Sequence, residues 1–168
     1  MSDRMRPIVA FVFLAGCSKS GREWVVLPEK EAVTLMSPCS RSFPPDLVGY
    51  WDLGDAEIQR AEIRFLEALK LHLRRIPKDE REDVPGRWNA QYAGFHRHGR
   101  KVVYVNAVAD GVAEDWRKRA IRICDGGLIS FGAVLDLDRD SVDSFEFNGT
   151  VGGPIPLGDA AGPDAVQP

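Results

Sequence analysis

Over one long stretch Ile58, Ala61, Phe65, Ala68, Leu69, His72 and Ile76 fall on a single helical face, while Glu57, Arg60, Arg64, Glu67 and Arg74 turn elsewhere. The spacing predicts one amphipathic helix of about twenty residues. Asp52 is its expected N-cap, Asp55 and Glu57 place negative charge in the first turn, and Pro77 stops it. The run PKDEREDVPGR that follows is charged and carries two prolines, so it reads as an exposed connection.

The second half changes to strand periodicity. Strands are expected over 91–97 and 101–107 around His98-Gly99, where the glycine supplies the positive φ of a tight hairpin turn. In the second of these Val103 and Val105 share one face, and Val102 and Tyr104 the other. After a turn or short helix holding Trp116, further strands are expected over 120–124, 128–137 and 142–147. Upstream, 24–27 is the first ordered piece, and three prolines within 37–46 exclude a helix or a central strand there. From Thr150 on, a tail of Gly, Pro and Ala has little to bury and is expected to be disordered. The fold class is therefore α+β. One long helix packs on an antiparallel sheet of four to five strands with apolar residues on one face, and cystatin-like topology is one arrangement of this kind.

The first residues follow neither pattern. A basic start, MSDRMR, precedes an apolar run from Pro7 to Leu14, then Ala15-Gly16-Cys17. That run is too short to span a bilayer as a helix, yet it suits the core of a signal peptide. Leu14-Ala15-Gly16-Cys17 looks like the lipobox of bacterial lipoproteins, in which Cys17 is acylated after cleavage. The competing reading is a buried N-terminal strand. Ser18, in place of Asp, follows the sorting pattern for the outer membrane. The chain then divides into a signal peptide at 1–16, a lipidated cysteine, tether and first ordered segment at 17–36, the α+β domain at 37–149 and the tail at 150–168.

Composition adds limits. The 168 residues are 44% hydrophobic and 28% charged, enough for one core. The formal charge is −3, and loss of 1–16 removes Arg4, Arg6 and Asp3, leaving 20 basic against 24 acidic residues, or −4. No basic stripe is present, which argues against nucleic acid as a partner. In an exported chain Cys39 and Cys124 stand either as a bridge or as two buried thiols. An oxidising compartment favours the bridge, whose loop would restrict the unfolded chain by about 4–5 kcal/mol.

Candidate chemistry is sparse. His96 and His98 sit roughly 7 Å apart on one strand face, a zinc-compatible spacing that lacks further ligands. Asp136, Asp138, Asp140, Asp143 and Glu146 evoke a calcium loop, but Ser141 replaces its turn glycine and Phe147 its last carboxylate. A polar hairpin tip accounts for the same residues. Cys124 beside Asp125, with His72 or His96 as base, would make a nucleophile only if Cys124 were unbridged. His72 reads as a core-edge residue with one satisfied nitrogen. Trp51, Trp88 and Trp116 are either core aromatics or, if exposed, a binding surface. No catalytic set, metal site or cofactor loop is expected.

Cys39-Ser40-Arg41, Gly49-Tyr50-Trp51, Gln91-Tyr92-Ala93-Gly94, Tyr104-Val105-Asn106-Ala107, Cys124-Asp125-Gly126-Gly127, Phe131-Gly132 and Phe147-Asn148-Gly149 follow one another in an order that resembles a family of short, mostly uncharacterised lipoproteins of Gram-negative bacteria. The likeness covers about residues 37–149 and the lipobox; Leu128-Ile129-Ser130 departs from it, where a bulky aromatic belongs. It implies an exported, membrane-tethered domain with Cys39 and Cys124 paired, and it brings no activity. The expected function is a periplasm-facing module that holds another envelope protein as an inhibitor, immunity or assembly factor. The alternative is a small envelope hydrolase using His96, Asp125 or Glu146.

Overall fold

The computed structural model describes residues 15–17 by backbone alone, then 23–39 and 41–149. Most of the expected signal peptide, the tether at 18–22 and the tail from Thr150 lie outside these residues.

The long helix, α2 (Asp55–Arg75), buries Ile58, Ala61, Phe65, Ala68 and Leu69, the face its spacing predicts. Its N-cap is Gly54, not Asp52, and no side chain caps it. Asp52 lies two residues before that cap and instead sits beside Tyr50. Burial, together with that carboxylate, pushes the Tyr50 phenol up to about 12. Pro77 bars helical backbone at Ile76, which turns extended, and a 3-10 stretch, Lys78–Asp83, follows.

Among the described residues the sheet holds seven strands, more than the four or five expected: β1 (Ala15–Cys17), β2 (Glu23–Val26), β3 (Leu47–Trp51), β4 (Trp88–Arg97), β5 (Arg100–Ala109), β6 (Ser130–Asp136) and β7 (Ser141–Phe147). Their order is β1-β2-β4-β5-β6-β7, with β3 also on β4. Every pairing is antiparallel except β2 with β4. β2 covers Ala90–Tyr92 and β3 covers Gly94–Arg97, so the two share one edge of β4. Sequence periodicity passed over β3 because a bulge between Val48 and Tyr50, with Gly49 at φ +59, breaks its alternation. It also passed over α1 (Glu29–Leu35), which at seven residues is too short to show a period.

β4 to β7 form the meander. The β4–β5 turn needs left-handed backbone at both His98 (φ +49) and Gly99 (φ +78), the combination of a two-residue hairpin whose twist matches its strands.

Both faces of the sheet are buried, where one was expected. Against α2 lie Tyr92, Val103, Val105, Phe131, Phe145 and Phe147. Phe131 is the centre of this layer, stacked on Phe65 at 5.6 Å and on Phe145 at 4.9 Å. On the other face Ala93, Phe95, Val102, Tyr104 and Val134 meet Leu35 of α1 and Trp116. Val103 and Val105 thus part from Val102 and Tyr104 as their alternation requires. The second face is closed by α1 and by the loops around 37–46 and 113–126, whose coil character hid their burial. Residues 120–124 form no strand. The bridge therefore joins two loops, not a loop and a strand end.

Candidate functional site

Polar residues in the middle of apolar strands locate the most connected cluster of the molecule. Gln91 on β4 and Asn106 on β5 are register partners, and Asn106 pairs with Gly132 on β6. Gln91 is 0% and Asn106 1% exposed. Buried amides must find partners, and these find the backbone of the loop that is not a strand. Gln91 Nε2 donates to the carbonyls of Trp116 and Arg119 at 2.5 Å each, and Gln91 Oε1 accepts from Ile121 N at 2.9 Å. Asn106 Nδ2 donates to Gln91 Oε1 and to the Ile121 carbonyl, both at 2.8 Å. Asn148, fully buried after β7, donates to the Ile123 carbonyl at 2.6 Å. Residues 116–123 are thus held by side chains in place of a ladder.

Arg41 closes the cluster from the opposite loop. Its guanidinium donates to Tyr104 Oη at 2.9 Å and to the side-chain carbonyls of Asn106 and Asn148. All three partners are neutral. A Cβ at Gly132 would lie 2.5 Å from Arg41 Nε and 2.7 Å from Tyr104 Oη, so only glycine leaves room for this arginine. Glu146 Oε2 accepts the next backbone N–H, that of Ser42, at 2.8 Å. Above the network Cys39 and Cys124 are bridged, Cα to Cα 4.9 Å, across 85 residues. Both cysteines are exposed. The crevice at Cys39, Arg41 and Ile121 has a cavity volume of about 0 Å³. Its polar groups bind one another and leave no space for a ligand. The arrangement pins two loops; it does not present a reactive group.

The expected candidates do not converge. Trp88, Ala90 and Tyr92 belong to the α2 layer, so His96, in phase with them on β4, shares that face. On β7, Phe145 and Phe147 occupy the α2 layer, which puts Glu146 on the opposite face. Asp125 sits in the loop after Cys124 at φ +53. Cys124 is bridged and so offers no thiolate. His72 stacks on Phe145 at 4.2 Å, with Nδ1 2.9 Å from the Ala68 carbonyl, the core-edge role its position suggested. Trp51, Trp88 and Trp116 are all buried, so they are core aromatics.

The acidic run is spent on arginines. Asp136 Oδ1 accepts the N–H groups of Asp138 and Arg139 at 3.0 Å each, while Oδ2 meets Arg100 at 2.7 Å. Asp140 pairs with Arg64, and Asp143 with Arg97 at 2.9 Å. Asp46 holds Arg97 at 2.7 Å and His98 at 3.5 Å. Among the described residues no three His, Cys, Asp or Glu side chains are grouped as a metal site. Burial raises the Asp136 carboxyl, but the Arg139 N–H and Arg100 more than reverse this and hold it below the ordinary range. Arg97 does the same for Asp46, and Arg64 for Asp140. Lowered values in the folded state mean stability present above the ordinary carboxylate value of 3.8 and lost as pH falls through the lower folded values. Urea midpoints should therefore be flat near about pH 6 and fall steeply in acid, and Asp136→Asn should flatten that fall. An unchanged acid limb in the variant would show that Asp136 does not contribute.

Two grooves flank α2. One, of about 440 Å³, runs between the helix and β7 past Leu71 and His72. The other, of about 640 Å³, lies between the C-terminal half of the helix and the segment leading to Trp88. Comparison of the chain with protein-family models, curated proteins and solved structures finds no match.

Proposed function

We propose that the chain is a lipid-anchored binding module of a Gram-negative envelope, cut before Cys17, acylated there and facing the periplasm, with the outer membrane favoured by Ser18. Its domain holds another envelope protein in an inhibitor, immunity or assembly role. The observation that supports this most is the position of the bridge. Cys39 and Cys124 are joined and exposed, and an exposed disulfide persists where the compartment is oxidising. The ordered motifs of the lipoprotein resemblance add support: Arg41, Gln91, Tyr104, Asn106, Gly132 and Asn148, drawn from five of them, meet in one network. The hydrolase reading lacks this kind of support, since His96 and Glu146 stand on opposite faces. We extend the proposal to topology. α2 laid across the β4 to β7 meander is cystatin-like in order, and β2, parallel to β4, together with α1, is an addition to that plan.

The N-terminus supplies the rival. Ala15, Gly16 and Cys17 pair as β1 with Val25, Trp24 and Glu23, as a retained N-terminal strand would. That pairing belongs to the uncut chain, because cleavage before Cys17 removes two of its three residues. Expression with labelled palmitate separates the two. The intact protein should take up label, sediment with membranes and start at Cys17 by mass, and Cys17→Ser should lose both label and membrane association. A soluble, unlabelled chain retaining residues 1–16 would establish the strand and refute the anchor. Binding without turnover further requires that alanine at His72, His96, His98, Asp125 or Glu146, in variants that fold, preserve the biological effect.

A further inference from the structure

The larger groove beside α2 carries features that the polar network does not use. Its floor is apolar, made by Leu66, Leu69, Leu73, Val84 and the Trp88 indole. Leu66, Leu73 and Val84 are only half covered, although they pack on the core. Trp88 is 5% exposed, yet its Nε1 has no hydrogen-bond acceptor among the described residues. A buried indole N–H without a partner carries an uncompensated desolvation cost, which an arriving acceptor would relieve. The rim has one sign of charge. Among the described residues Lys70, Arg74 and Arg81 line it, and no carboxylate does. Arg81 is fixed there by bonds to the carbonyls of Ile76 and Arg74, both at 3.1 Å. Lys70 and Arg74 are exposed and form no ion pair among the described residues.

An apolar floor, a cationic rim and one unanswered donor define a ligand with an apolar body and an acidic head. The volume, about 640 Å³, lies within the usual range for small-molecule sites. We propose that this groove binds an anionic amphiphile, a single acyl chain ending in a carboxylate. The chain lies along Leu66, Leu69, Leu73 and Val84. The carboxylate is drawn by Lys70 and Arg74, and it supplies the acceptor that Trp88 lacks once the segment 84–86 shifts to admit it. That segment is lightly held: Val84 N bonds only back to Arg81, and Gly86 has no atom near its Cβ direction. The inference does not depend on the anchor, because the site belongs to the domain whether or not Cys17 is acylated.

Three probes with the same chain and different heads test it: decanoate, decyl maltoside and decyltrimethylammonium, each kept monomeric. The readout is the indole N–H resonance of Trp88 in a proton–nitrogen correlation spectrum, assigned by Trp88→Phe. Decanoate should shift that resonance saturably, with an affinity at least about tenfold above the cationic probe and the neutral probe between them. Charge reversal of the two exposed rim residues, Lys70→Glu with Arg74→Glu, should invert the order while leaving the unfolding midpoint in place. Equal affinity for the three heads, indifference to the reversal, or no saturable shift with any probe would overturn the site. A last arm separates a free acid from a lipid surface. Sedimentation with phosphatidylglycerol vesicles in the absence of any response to monomeric decanoate would also refute the groove, assigning the acidic preference to a membrane face.

Discussion

Arg41→Met is expected to lower stability by about 3–5 kcal/mol, read as the shift of the urea midpoint at constant slope. Methionine keeps much of the aliphatic stem, so the loss is that of the guanidinium. Without it the side-chain carbonyls of Asn106 and Asn148, which are 1% and 0% exposed, lose their donor inside the protein. Each orphaned buried acceptor costs about 1–3 kcal/mol. Tyr104 Oη loses a third contact, and burial leaves its phenol raised above the ordinary value with less opposition from the cation. Arg41→Lys should recover only part of the loss, because an ammonium cannot reach three acceptors set in a fan. A midpoint within about 1 kcal/mol of the parent for Arg41→Met would mean that the network reorganises around water, and the pinning role would fail.

Loss of the bridge, by Cys39→Ser with Cys124→Ser or by reduction, is expected to cost about 4–5 kcal/mol. The magnitude follows from the 85-residue separation, since a cross-link over a long loop removes more freedom from the unfolded chain than one over a short loop. Against a total stability of about 5–15 kcal/mol this is a large share. Both substitutions leave exposed hydroxyls, so no new buried polar group confuses the measurement. The two effects should not add. Cys39 and Arg41 anchor the same loop, and once that loop is released by one change the other has less to lose. A cycle combining the bridge variant with Arg41→Met should show a coupling of about 1–2 kcal/mol. Strict additivity would mean that bridge and network stabilise the fold independently. A bridge loss costing under about 1 kcal/mol would leave the polar network as the sole restraint on both loops.

The acceptors of the network were visible in the sequence as anomalies without a meaning. Gln91 and Asn106 stand in runs that otherwise read as buried strand, and two amides facing each other there carry more donors and acceptors than their mutual bond can use, which signals further partners outside the sheet. What could not be read was the partner, since 120–124 alternates Ile121 and Ile123 as a strand would. Its carbonyls and N–H groups had an alternative to the ladder only because Gln91, Asn106 and Asn148 were brought over it from β4, β5 and the end of β7.

The chain by itself determined the elements whose signals are local and repeated. α2 followed from seven positions in register with a helical period, its end from Pro77, and the β4–β5 hairpin from alternation around a glycine that tolerates left-handed backbone. The pairing of Cys39 with Cys124 was within reach because only two cysteines were left once Cys17 was set aside. Tertiary structure decided the remainder. The second buried face, the use of the acidic run as arginine partners, the inward turn of Trp51, Trp88 and Trp116, and the separation of His96 from Glu146 all depend on which segments cover the sheet. Covering segments are loops and a short helix. They are fixed by a disulfide, an arginine and buried amides acting across 15 to 107 residues of sequence, a range over which local periodicity carries no information.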